Sequence, residues 1–121
     1  MDIVRCYEEL KGNYQEVKKR IASDELIKRF CLKFLQDDSF INLKKAIEKK
    51  DYREAFFSVY TLKGVCLNLS FTTLAEKCSE LTEYLRNYQN KDIDDNKLNI
   101  LFEALQNQYN LSIKAIKTLE V

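Results

Sequence analysis

The apolar residues of this chain recur every three or four positions almost throughout, a spacing that predicts amphipathic α-helices. No segment alternates between apolar and polar residues over a useful length, so strands are not expected. The helices that this spacing predicts cover approximately residues 3–10, 14–21, 24–36, 40–49, 52–69, 74–85 and 95–116. A polar stretch over residues 87–92 is expected to form a loop.

Polar residues stand where several of these helices should begin. Ser23 is suited to cap a helix, because its hydroxyl can accept a hydrogen bond from a free backbone N–H. Asp51 and Glu54 have the spacing of a capping box, with Asp in place of the usual Ser or Thr. Asp94 or Asp95 is expected to cap the last helix, and capping explains these paired carboxylates better than acid–base catalysis does.

The predicted fold class is all-α, an antiparallel up-down four-helix bundle with a short N-terminal helical extension. We expect a single domain over residues 1–121, with an N-terminal helical segment at 1–21 and the bundle at 23–119. The longest helix should face the core through Ala55, Val59, Leu62, Cys66 and Leu69. The helix after Ser23 should face it through Leu26, Ile27, Phe30, Cys31, Phe34 and Leu35.

Charge and hydropathy narrow the classes of protein to which the chain can belong. It has 20 basic and 19 acidic residues and a net charge of +1, which argues against a nucleic-acid partner held by bulk charge. No apolar run has the length of a membrane span or the form of a signal peptide. We therefore expect a cytoplasmic protein that binds neither nucleic acid nor membrane.

The chain contains no histidine, which removes the usual general base, the commonest metal ligand and any phosphohistidine. Its four cysteines lie among apolar residues and form no CxxC pair. Buried thiols in a reducing compartment are expected at Cys6, Cys31, Cys66 and Cys78, and no metal or cofactor is expected.

One segment carries more information than the helical pattern. Leu62, Lys63 and Gly64 are followed at matching intervals by the apolar residues Leu69, Phe71, Leu74, Cys78 and Leu81. This pattern resembles the signature of histidine phosphotransfer domains, and the resemblance extends over about residues 23–85. Three positions depart from it: Tyr60 stands at the phosphorylated histidine, Ser70 at a frequent glycine, and Thr82 at a position that is often polar or acidic.

The resemblance implies roles for the residues around Tyr60. Gly64 would leave room for a partner's active site to approach, and Lys63 would help to neutralise a phosphoryl group. We predict a partner-docking site that consists of Phe56, Tyr60, Lys63, Gly64 and Leu67. The alternatives are close packing of a neighbouring helix on Gly64, an ordinary solvated Lys63, and contacts of Phe56 and Leu67 with the N-terminal segment.

Tyrosine cannot replace histidine chemically in such a domain. A phenol is almost wholly neutral at pH 7, because its reference pKa is about 10. It would need an activating base, and the chain has no histidine to serve as one. A phosphotyrosine, once formed, would be a stable ester and a poor phosphoryl donor. Tyr60 is therefore an inactive equivalent of the phosphoacceptor, and no enzymatic activity is expected.

These observations predict a phosphorylation-incompetent adaptor of a two-component phosphorelay. Its partner would be the receiver domain of a response regulator or of a hybrid histidine kinase, and the protein itself is expected to be a monomer. The alternative is a helical-bundle scaffold that has lost the phosphorelay role and binds an unrelated protein or itself.

Overall fold

The computed structural model describes residues 2–120, which are helical apart from short connections. The α-helices are α1 (Ile3–Glu9), α2 (Tyr14–Ile21), α3 (Asp24–Phe34), α4 (Ser39–Glu48), α5 (Tyr52–Asn68), α6 (Thr72–Leu85) and α7 (Asp95–Lys117). Two short 3₁₀ helices cover Tyr88–Asn90 and Thr118–Glu120. No strand occurs within these residues, so the predicted all-α class is confirmed.

A four-helix bundle with a short N-terminal extension is not confirmed, because the described residues form seven α-helices. The segment before the predicted bundle contains two helices, as the apolar spacing predicted, and Lys11, with a φ of 60°, lies in the turn between them. The helix that follows Ser23 is also a separate element, which ends at Phe34 before α4 begins. We call α1, α2 and the turn that joins them the N-terminal hairpin.

The packing places α5 between two neighbours. Helix α5 lies against α4 on one side and α6 on the other, and α6 packs in turn against α7. Helices α1 and α3 also contact α7, while α2 contacts α3. Rings of Phe40 and Tyr109 stack with their centroids 4.0 Å apart and so join α4 to α7. One continuous apolar core results, with contributions from all seven helices.

The polar residues at the helix starts behave largely as predicted. The Ser23 hydroxyl accepts from Leu26 N–H at 3.2 Å, and the Asp51 carboxylate accepts from Glu54 N–H at 3.1 Å. Only this half of the expected capping box forms, because the Asp51 N–H donates instead to the Ala46 carbonyl in the last turn of α4. At α7 the capping residue is Asp94, whose carboxylate accepts from the backbone 2.9 Å away.

One residue of the predicted core lies elsewhere. Phe30 was expected to face inward, but its side chain is 41% exposed. The buried face of α3 is formed by Ile27, Cys31 and Phe34, which are three or four positions apart. Phe30 instead lines a shallow groove between the N-terminal hairpin, α3 and α5. None of the described helices is both long enough and apolar enough to cross a membrane.

Candidate functional site

Helix α5 leaves one long face uncovered, and three large side chains lie on it. Phe57 is 65% exposed, Tyr60 is 56% exposed and Leu67 is 52% exposed. Gly64 lies on the same side, since four residues advance a helix by little more than one turn from Tyr60. We call Phe57, Tyr60, Gly64 and Leu67 the Tyr60 face. It extends for about 15 Å along the helix.

Gly64 is the open centre of this face. A Cβ atom placed on Gly64 would have no heavy atom within 4 Å outside its own stretch of helix. The alternative that a neighbouring helix packs closely on Gly64 is therefore wrong. A glycine inside a helix costs about 1 kcal/mol relative to alanine, and nothing within the described chain requires that cost.

Phe56, which is predicted to belong to the docking site, lies beside Tyr60 at the edge of this face. Its side chain is half-buried against the core, and its ring centroid lies 6.1 Å from that of Tyr60. The Arg86 guanidinium covers it, 5.5 Å from the ring centroid. Phe56 therefore supports the edge of the Tyr60 face on the side of α6. It does not pack against the N-terminal segment, which was the alternative.

Sequence reasoning missed Phe57, the most exposed residue of the face. The signal was present in the spacing: Phe57 is three residues before Tyr60 and seven before Gly64, which puts all three on one side of a helix. Lys63, by contrast, precedes Gly64 by one residue and so lies about 100° away from it around the helix. It lies half-buried at the edge of the face rather than within it.

The charges beside the face come from α5 and from the end of α6. Arg86 donates from Nε and Nη2 to the two carboxylate oxygens of Glu83, each at 3.1 Å. The hydrogen bonds and charge of Arg86, with a further contribution from the Lys63 ammonium, lower the pKa of Glu83. Arg86 is thus paired with Glu83 at this edge, and Lys63 acts on the same carboxylate only through its charge. Arg86 could not be assigned to the site from sequence, because it lies 26 residues after Tyr60 and only packing unites them.

The far end of the face is held by the N-terminal hairpin. Leu67 has an exposed side chain, yet its carbonyl oxygen accepts a hydrogen bond from Arg20 Nη2 at 3.0 Å. This hydrogen bond joins the backbone of Leu67 to the N-terminal segment, whereas the alternative was a core contact of its side chain, which is exposed. Beside it, a groove of about 290 Å³ runs between α2, α5 and α6, with Lys63, Glu16 and Glu76 in its walls.

Ser70, which stands at a frequent glycine of the resembling family, ends α5 with a φ of 56°. This left-handed conformation favours glycine, because a Cβ crowds the backbone there. Its hydroxyl is used instead: it donates to Glu16 at 2.7 Å and accepts from Arg20 at 2.5 Å. The departure from glycine thus coincides with a polar contact that glycine could not make.

The cysteines do not supply a nucleophile. All four are buried and free of disulfides. Burial raises the pKa of Cys6 to about 12 and that of Cys31 to about 11, and a hydrogen bond between Cys66 and Cys78 raises the pKa of Cys66. Thiols of this kind stay protonated at neutral pH. Within residues 2–120, no group of three or more Cys, Asp or Glu side chains is arranged to hold a metal ion.

Comparison with known proteins gives no match to a family model, to a curated protein or to a solved structure. The resemblance to phosphotransfer domains therefore stays a prediction from the sequence.

The two glycines should respond in opposite ways to alanine. A Cβ on Gly12 would lie 2.8 Å from the Ser70 carbonyl oxygen and 2.9 Å from the Tyr7 ring, so Gly12→Ala should destabilise the fold by about 1–3 kcal/mol. Gly64→Ala adds a methyl group in open space and should stabilise it by about 1 kcal/mol. Urea denaturation measures both. A destabilising Gly64→Ala would contradict the open surface described above.

Proposed function

We propose that this protein is a histidine-phosphotransfer-like adaptor that cannot be phosphorylated and that docks on receiver domains through the Tyr60 face. The observation that carries the proposal is the open surface at Gly64. A mid-helix glycine that contacts nothing in its own chain has a simple use if another protein approaches the helix there. The exposed apolar side chains on either side of it would supply the contact area.

The arrangement of helices is compatible with this proposal. In our interpretation α4, α5, α6 and α7 form the antiparallel four-helix bundle of such a domain, and α1, α2 and α3 are additions around it. The pairwise packing of α4 with α5, α5 with α6 and α6 with α7 supports this view, as does the aromatic stack between α4 and α7. Tyr60 would then occupy the outward position of the phosphorylated histidine, in the middle of α5.

The charges at the edge of the face suit an acidic partner. Lys63 and Arg86 both lie at this edge, where Arg86 is hydrogen-bonded to Glu83 and the Lys63 ammonium acts on the same carboxylate through its charge. The aspartyl phosphate of a receiver domain is itself anionic. Complementary charge of this kind favours encounter and orientation more than final affinity. The apolar residues of the Tyr60 face should therefore dominate the strength of binding.

Gly64→Glu should abolish docking without unfolding the protein. The new side chain would project into the space that the partner's backbone needs, and receiver affinity should fall at least about tenfold. The matched control is Asn107→Glu, which adds the same charge at an exposed position of α7. Calorimetric titration against the receiver domains of the source organism measures both variants. Unchanged affinity in Gly64→Glu, or no binding of the unmodified protein to any receiver, would refute the proposal.

Phe57→Ala should weaken receiver binding about tenfold, because truncating a central aromatic residue commonly removes more than 1 kcal/mol. Ile100 on α7 is a matched control, since it is 68% exposed and Phe57 is 65% exposed. Ile100→Ala should leave the affinity within about twofold of its original value. If the two variants lose equal affinity for the receiver, exposed apolar area contributes to binding wherever it lies on the surface, and the Tyr60 face is not the docking site.

Tyr60→His should restore phosphoryl transfer. An imidazole at this position would be neutral near pH 7 and could attack the aspartyl phosphate of a receiver that binds the unmodified protein. The measurement is transfer of radiolabelled phosphate as an acid-labile label, with Tyr60→Phe as the control. A folded Tyr60→His variant that binds the receiver but gains no label would mean that Lys63 and Gly64 do not form a phosphotransfer-type site.

The same exposed face also fits the alternative of a scaffold that binds an unrelated protein or a second copy of itself. Apolar exposure of this kind is typical of protein interfaces in general. Analytical ultracentrifugation separates the two proposals. A dimer that Gly64→Glu dissociates, together with no affinity for any receiver domain, would favour the scaffold.

A further inference from the structure

The C-terminal end of α5 is unusual in how completely other parts of the chain bind its carbonyl groups. Four successive carbonyl oxygens, from Leu67 to Ser70, accept hydrogen bonds from the N-terminal hairpin. The donors and distances are Arg20 Nη2 to Leu67 at 3.0 Å and to Asn68 at 3.1 Å, the Tyr7 hydroxyl to Leu69 at 2.7 Å, and Asn13 N–H to Ser70 at 2.8 Å.

Arg20 is itself held in place. Its Nη2 lies 2.5 Å from the Ser70 hydroxyl and 3.7 Å from the Glu16 carboxylate, and that hydroxyl donates to Glu16 at 2.7 Å. The guanidinium therefore stands at the negative end of the α5 dipole with an acidic residue behind it. A cation is favoured at this end of a helix, and charge-assisted hydrogen bonds are stronger than neutral ones.

The last turn of α5 contains Leu67, the end residue of the Tyr60 face. The last turn of a helix frays easily, because its carbonyl groups have no partners within the helix. A bond to the Leu67 carbonyl restrains the backbone from which this exposed side chain projects. The restraint needs no contact between Arg20 and a partner.

We propose that Arg20 is a positioning residue: it fixes the last turn of α5 and thereby holds Leu67 in line with Gly64 and Tyr60 for docking. The N-terminal hairpin is then part of the docking apparatus and not merely an addition to the bundle. The effect on receiver affinity rests on the function proposed above. The effect on the order of α5 does not.

Hydrogen exchange of the free protein tests the restraint directly. Arg20→Met keeps much of the side-chain length and removes every donor, so the amides of Leu69, Ser70 and Phe71 should exchange at least about tenfold faster. The mid-helix amide of Leu62 should be unaffected. Lys19→Met removes the same charge from an exposed neighbouring residue and should change neither. Arg20→Lys, which retains a donor and the charge, should restore part of the protection.

Receiver titration then tests positioning through a double-mutant cycle. Arg20→Met and Leu67→Ala should each lower receiver affinity about fivefold. Because both act on the same contact, the affinity of the double variant should fall by clearly less than the product of the two factors. If the role of Arg20 is merely structural, the two reductions in affinity should multiply in the double variant. If Arg20→Met does not fold, Ser70→Ala removes only the hydroxyl that joins Glu16 to Arg20 and takes its place in both measurements.

The outcomes are distinct. If the amides of Leu69, Ser70 and Phe71 exchange at the same rate in Arg20→Met, Arg20 does not restrain the last turn of α5. If Arg20→Met speeds amide exchange but leaves receiver affinity unchanged, Arg20 does not position Leu67. The same conclusion follows if the affinity losses of Arg20→Met and Leu67→Ala multiply in the double variant. Both results would leave the docking proposal intact. If no receiver binds the unmodified protein, the docking proposal fails, and the order parameter of the Leu67 side-chain methyl groups decides whether Arg20 fixes this residue.

Discussion

The junction between the N-terminal hairpin and the end of α5 is the contact on which the rest of the structure depends. Gly12 forms the turn of the hairpin, and the backbone of Ser70 lies so close that a Cβ on Gly12 would stand 2.8 Å from its carbonyl oxygen. Backbone atoms approach this closely only where a side chain is missing. The junction thus combines close packing with hydrogen bonds that α5 could not form alone. It also sets the position at which the Tyr60 face ends.

Because α5 has neighbours on both sides, its outer face is narrow, and the residues on it are set by the helix period. The chain places two aromatic rings and a leucine on this face although each could have been polar without loss to the core. Gly64, the residue of this face that has no side chain, lies among them. Neither choice stabilises the isolated protein: exposed apolar groups gain nothing from burial, and glycine lowers helix stability. A surface with these two features, neither of which stabilises the isolated protein, supports the proposed docking of another molecule.

The sequence predicted the helices well because their apolar spacing is regular and their starts carry capping residues such as Ser23 and Asp51. It failed where the choice between adjacent residues mattered. Phe56 and Phe57 are chemically equal in the sequence, and only the direction of the core decides which ring is covered by Arg86 and which is exposed. Phe30 was misplaced for the same reason. The role of Arg20 was beyond sequence reasoning, since its acceptors are backbone carbonyls 47 and 48 residues away, which leave no mark in the side-chain pattern.

Replacing histidine with tyrosine at the centre of such a face changes its chemistry more than its shape. Both side chains are planar rings with a polar atom near the tip, so a partner could meet Tyr60 much as it would meet an imidazole. The phenol, however, lacks the basic lone pair that accepts a phosphoryl group near pH 7, whereas Lys63 and Arg86 still supply positive charge beside it. Under the proposed function, a surface with positive charge, an open backbone and exposed apolar side chains, but without a histidine nucleophile, is suited to holding a receiver domain without taking its phosphoryl group. In that case the receiver would remain phosphorylated while it is bound, and its access to a competent phosphotransfer domain would be blocked by occupancy alone.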